Sequence, residues 1–162
     1  LMDPAACVRQ AVDMVLEQYR LEDIEIVSDI PEQAHAVMGH PIRLEQVLVN
    51  LLGNAHDAIL EHSTDDAASP KGRIAVTLAD DAEGNSLSIS VSDSGGGISQ
   101  DKMDSIFEPF FTTKEVGRGM GLGLSVSQSI ISEMGGALSA KTTDNGACFS
   151  VTLPYGEADK DG

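Results

Sequence analysis

Apolar and polar positions follow two different periods along this chain, and the places where the period changes mark its elements. Residues 4–20 (PAACVRQAVDMVLEQYR) repeat with helical spacing, with Asp3 placed to cap the first turn and Pro4 suited to the first helical position. Residues 42–61 form the clearest helix: at about 100° per residue, Leu44, Val47, Leu48, Leu51, Leu52, Ala55 and Ile59 fall in one arc. A short helix is expected at 100–106 and a longer one at about 122–134, ended by Gly135-Gly136. Strands are expected at 24–28, 35–38, 73–79, 86–92, 137–142 and 147–153, with a polar loop at 62–72. The order, roughly α-β-β-α-β-β-α-β-β, predicts an α/β fold: a mixed sheet with helices packed on one face. Residues 1–154 read as one domain and residues 155–162 as a disordered tail.

Composition narrows the function. Apolar residues make up 41% and charged residues 22% of 162, an ordinary globular balance. Ten Lys and Arg against 26 Asp and Glu leave a net charge of −16, with no basic stripe to replace counterions, so a nucleic-acid partner is excluded. Any polyphosphate ligand then needs a metal ion, backbone amides or a few placed cations. Cys7 and Cys148 lie in unrelated contexts without ligand spacing and read as reduced cysteines of a cytoplasmic protein. No apolar run approaches a membrane span, and no membrane contact is expected. The chain starts at Leu1 and is expected to be a piece of a longer protein.

Three segments carry candidate chemistry. On the helix at 42–61, Asn50, Asn54, Asp57 and Glu61 form a narrow polar stripe. It is either a solvated face or a set of oxygen ligands suited to Mg²⁺, and Asn is a poor interior helix residue. Asp93-Ser94-Gly95-Gly96-Gly97-Ile98 follows a strand. It is either a tight Asp-Gly turn or a carboxylate that accepts from an exocyclic amine while the glycines pass close to a flat ring. Gly117-Arg118-Gly119-Met120-Gly121-Leu122-Gly123-Leu124 runs straight into a helix. Its exposed amides and the helix dipole suit a phosphate, and Lys114 and Arg118 place two scarce cations just before it. Between the last two lies Phe107-Glu-Pro-Phe-Phe-Thr-Thr-Lys114, read with its glycine-flanked surroundings (107–120) as a mobile lid.

In this order, Asn50-Leu-Leu-Gly-Asn54-Ala, Asp93-Ser-Gly-Gly-Gly97, Phe107-Glu-Pro-Phe110 and Gly119-Met-Gly121-Leu-Gly123-Leu resemble the N, G1, F and G2 boxes of sensor histidine kinase catalytic domains. Gly146-Ala-Cys-Phe149-Ser-Val-Thr-Leu-Pro154 is similar to their closing strand, and the likeness spans residues from about 5 to 154. The lid and Asn-Ala-x-Asp-Ala variants resemble the nitrogen-regulatory and dicarboxylate-sensing branch. The resemblance implies the two-layer Bergerat α/β sandwich and its ATP lid. It implies ATP and Mg²⁺ as ligands, and transfer of the γ-phosphoryl group to a histidine on a dimerisation and phosphoacceptor domain of the same parent. A response regulator would be served through that parent. It further implies that Asn54 holds Mg²⁺ and that Asn50 holds a water or phosphate near it. Asp57 and Ala58 would line the site. Asp93 would pair with adenine N6, with Gly95, Gly97 and Ile98 around the ring. Gly119, Met120, Gly121, Leu122, Gly123 and Leu124 would cradle the phosphates, Thr113, Lys114 and Arg118 would reach them from the lid, and Ser150 would join the water network near adenine. ATP-hydrolysing relatives carry a glutamate base where this chain has Asn50, which favours transfer over hydrolysis. Many kinases carry a cation where this chain has Asp57. His35, His40, His56 and His62 all lack the acceptor context and read as structural. An ATPase clamp and a degenerate nucleotide-binding scaffold are the competing functions.

Overall fold

A computed structural model describes residues 1–62, 71–109 and 123–156. Nine elements follow in chain order: α1 (Pro4–Leu21), β1 (Ile24–Asp29), α2 (Pro41–His62), β2 (Gly72–Asp81), β3 (Ser86–Asp93), α3 (Gln100–Met103), α4 (Gly123–Glu133), β4 (Ala137–Thr142) and β5 (Ala147–Pro154). The strands form one mixed sheet of order β1-β2-β3-β5-β4, parallel between β1 and β2 and antiparallel elsewhere. Helices α1, α2 and α4 pack on one face of it, completing a two-layer sandwich.

Local chemistry sets the boundaries. Asp3 accepts the Ala5 amide at 3.0 Å and so caps α1. Gly135 ends α4 at φ +80°, and the Gly136 amide donates to the Ile131 carbonyl at 2.9 Å, a closure that a Cβ in the left-handed region would strain. In α2 all seven residues of the predicted apolar arc are buried, and they meet Ile74, Val76, Ile89 and Val91 of the sheet. Truncating any of the large ones to Ala costs about 2–5 kcal/mol.

Alternation on β3 divides the sheet. Leu87, Ile89, Val91 and Asp93 point toward the helices, while Ser86, Ser88, Ser90 and Ser92 stand on the opposite, open face. Cys148, Ser150 and Thr152 pair with Ser92, Ser90 and Ser88 and share that open face.

Two expectations are corrected. Residues 35–38 are not a strand of the sheet. Val37 makes a single bridge with Met2, and the Ala36 carbonyl accepts from Gly156, so this segment ties chain ends together instead of pairing with a strand. The helix at 100–106 is only one turn, because the chain continues in turns through Ser105 and Glu108. Tyr155 and Gly156 are also held in place. Their amides donate to Asn85 and Ala36, and the Tyr155 ring stacks on His35 with centroids 4.0 Å apart.

Candidate functional site

The polar stripe of α2 faces the N-terminal end of α4. The Asn50 side-chain amide donates to the Ser127 hydroxyl at 3.0 Å, joining the two helices. A Cβ on Gly123, the first residue of α4, would sit 2.5 Å from Asn50 Oδ1. A side chain at this position would have to displace the Asn50 amide, so the helix start comes close to the stripe. Leu124 is half-buried against the core. Asn54 and Asp57 continue the stripe, both partly exposed.

At the far end of α2 the 93–98 loop closes over the helix. A Cβ on Gly95 would lie 2.9 Å from the Ala58 carbonyl oxygen, so this loop meets helix backbone directly. Asp93 is only 6% exposed, and its Oδ1 accepts the Gly95 amide at 2.9 Å. Burial pushes its carboxyl above the ordinary carboxylate range, against the opposing pull of the Gly95 and Ala147 amides. Gly97 takes φ +77°. The Ile98 backbone meets the Thr142 hydroxyl, which donates to the Ile98 carbonyl at 2.7 Å. The structure thus brings Asn50, Asn54, Asp57, Ala58, Asp93, Gly95, Gly97, Ile98 and Gly123 to one side of α2. This side of α2 is the candidate cleft, with the buried Asp93 carboxylate toward one end and the Asn50 amide and the start of α4 toward the other.

Asp57 is turned within this cleft. Its Oδ1 lies 3.3 Å from His56 Nδ1, and its charge helps raise the Tyr19 hydroxyl on α1 to about 12, after burial, the larger cause. His56 stacks on Tyr19 with centroids 4.6 Å apart and bonds Glu22 through Nε2, so this histidine is a tie between α1 and α2.

Ser150 is corrected. It sits on the open face of the sheet beside Ser90, 3.3 Å between hydroxyls, whereas Asp93 points to the helix face. Strand alternation puts the two on opposite sides. Thr113, Lys114, Arg118, Gly119, Met120, Gly121 and Leu122, with the lid from Phe110 onward, lie outside the described residues.

Sequence reasoning passed over Ser127 and Thr142, and read Gly146 only as the start of the closing strand. Ser127 left a signal: it is a polar residue three and four positions before Ile130 and Ile131 on the buried side of α4, and it is 3% exposed. Thr142 left none, since its partner is 44 residues away.

Comparison with known proteins places this geometry. The profile of the histidine kinase-, DNA gyrase B- and HSP90-like ATPase family matches residues 39–157. The two-component sensor PprA of Pseudomonas aeruginosa is 41% identical over 152 residues, covering 94% of this chain and 16% of its own length. The chain therefore spans about a sixth of that relative. The nucleotide-free catalytic domain of histidine kinase ThkA superposes with a TM-score of 0.77 at 30% identity, over 93% of this chain and 92% of that one. ThkA also superposes in its complex with the response regulator TrrA, with a TM-score of 0.74 at 27% identity over 96% of this chain and 41% of that one. Full-length ShkA in complex with AMPPNP superposes with a TM-score of 0.77 at 26% identity, over 97% of this chain and 31% of that one. The chain belongs to the histidine kinase-, DNA gyrase B- and HSP90-like ATPase family, as an ATP-binding domain with the fold of histidine kinase catalytic domains.

Proposed function

We propose that the chain binds Mg-ATP in the cleft between α2, the 93–98 loop and the start of α4. It donates the γ-phosphoryl group to a histidine on a separate dimerisation and phosphoacceptor domain of its parent, which then serves a response regulator in the cytoplasm. The observation that carries this reading is the contrast along α2. A buried carboxylate, Asp93, stands where an exocyclic amine can be recognised, and a neutral amide, Asn50, stands where a hydrolase needs a base. Without a base, water is poorly activated. An imidazole nitrogen needs none: it attacks phosphorus as the bond to the ADP oxygen breaks.

The chain's own contribution is positioning. Asp93 and the glycine loop hold the base, the first turn of α4 meets the phosphates, and Asn54 supplies an amide oxygen for Mg²⁺. When bound, Mg²⁺ would supply neutralisation of phosphate charge. Among the described residues no group of three His, Cys, Asp or Glu side chains could hold a metal ion. Thr113, Lys114, Arg118 and residues 119–122 complete the phosphate cradle in this reading. Among the described residues no helix is long and apolar enough to cross a membrane.

Calorimetric titration of ATP, with and without Mg²⁺, into the wild type, Asn54→Ala and Asp93→Asn tests it. Mg²⁺-dependent binding weakened in both variants is expected. No binding at millimolar ATP would sink the proposal.

A further inference from the structure

The loop that follows Asp93 is held from outside the cleft, by the turn between β4 and β5. The Thr142 hydroxyl donates to the Ile98 carbonyl at 2.7 Å and accepts the Ile98 amide at 3.4 Å, so one side chain brackets one residue's backbone. Gly97, at φ +77°, lies in the same grip: a Cβ there would stand 3.1 Å from Thr142 Cγ2 and 3.2 Å from the Gly146 carbonyl oxygen. The turn itself is closed by the Thr143 amide on the Gly146 carbonyl, 2.7 Å, and by the Gly146 amide on the Thr143 hydroxyl, 3.0 Å. Gly146 in turn presses on Asp93. A Cβ at that position would overlap the Asp93 carbonyl oxygen and come within 2.8 Å of Oδ1.

The contacts of this turn with the 93–98 loop thus fall on Asp93, Gly97 and Ile98, the residues read as holding the base. Thr142 itself is exposed, so its own side chain contributes little to the core. A glycine-rich loop left to itself samples many conformations, and an ordered recognition loop binds more tightly because less entropy is lost on binding.

We propose that Thr142 is a positioning residue for nucleotide binding: its hydroxyl clamps Ile98 and so fixes the 93–98 loop in the conformation that receives the purine ring. This rests on the reading of the cleft as an ATP site. The clamp acts on the base end and leaves the phosphate end untouched, which separates it from a general effect on the fold.

The test uses Thr142→Val, which keeps the β-branched shape and removes the hydroxyl, and Thr142→Ser, which keeps the hydroxyl. Titration of ADP and Mg-ATP and thermal melting are read on both beside the wild type. Thr142→Val is expected to weaken both nucleotides by the same factor, roughly five-fold for one lost hydrogen bond. Thr142→Ser is expected to stay within about two-fold of the wild type, and the melting temperatures of all three are expected to agree within a few degrees. Amide exchange at Gly97 and Ile98 is expected to speed up in Thr142→Val alone. Wild-type affinity in Thr142→Val, equal losses in both variants, or a loss confined to Mg-ATP would each overturn the proposal. Should Thr142→Val melt far below the wild type, Thr142→Asn, which keeps a hydrogen-bonding side chain at this exposed position, replaces it. Wild-type affinity in a folded Thr142→Asn supports the clamp, and loss of affinity overturns it. A wild type that binds neither nucleotide would instead sink the reading of the cleft itself.

Discussion

The two ends of the cleft are built on opposite electrostatic principles. At one end, Asp93 is a carboxylate taken out of water, pushed up in pKa by burial and steadied by backbone amides. At the other, Asn50, Ser127 and the start of α4 are uncharged, and Asp57, further along the stripe, is drawn toward His56. In a chain carrying a net charge of −16, acid residues are the default surface. Under the proposed reading, a buried acid at one end of the site and neutral amides at the other would suit a molecule with an amine-bearing ring and an anionic tail.

The strongest way to break this contrast is Asp93→Asn. Titration is expected to show Mg-ATP binding weakened roughly 10- to 100-fold, the worth of a hydrogen bond to a charged group. Stability should move the other way. The folded pKa of Asp93 lies above its ordinary value of 3.8, so its protonation favours the fold below that value. That contribution is lost as pH rises through the folded value. At neutral pH the ionised group is therefore a burden, and Asp93→Asn should melt no lower than the wild type. A fall in melting temperature at pH 7 would show that the carboxylate supports the fold.

Asn54→Ala sharpens the other end. It is expected to abolish most of the difference between affinities measured with and without Mg²⁺, about ten-fold, while metal-free binding stays near the wild type. Next in size comes Ser127. Ser127→Val, which removes the partner of the Asn50 amide, should weaken Mg-ATP about five-fold and lower stability by about 1 kcal/mol, and Ser127→Thr should retain both. Equal behaviour of Val and Thr would assign Ser127 to packing alone. The smallest effect belongs to the tie behind the cleft. His56 holds the Glu22 carboxyl below its ordinary value of 4.5, so that contact stabilises the fold above this pH and is lost as pH falls through the lowered value. Glu22→Gln should flatten the acid limb of a melting curve against pH and leave the neutral value nearly unchanged. An unchanged acid limb would show the contact to be energetically idle.

How much of this was legible depended on the range over which each signal acts. Helix α2 could be read whole, because its buried arc and its polar stripe are both local consequences of one period. Asp93 could be placed because β3 alternates without a break and puts it at an inward position. The same rule applied to β5 would have sent Ser150 to the open face, so that error was one of register rather than of missing information. Residues 35–38 misled for another reason: a short, mostly apolar run (His35-Ala-Val-Met38) looks like a strand, but whether it pairs depends on distant neighbours. Here those neighbours are Met2 and Gly156. Thr142 was beyond sequence for the same reason, since nothing near it announces Ile98.

The meeting of Met2, Val37, Ala36 and Gly156 also has a mechanical side. Met2, just before α1, and Gly156, just after β5, are both fastened at this one spot, beside the Ser86 end of β3, while Asp93 stands at the other end of the same strand. Seven strand steps at roughly 3.3 Å separate the two, about 23 Å. Force applied to the body at this spot would act at one fulcrum, with the sheet as the arm of a lever. A tilt of about 20° there, small for a domain hinge, sweeps the far end through about 8 Å.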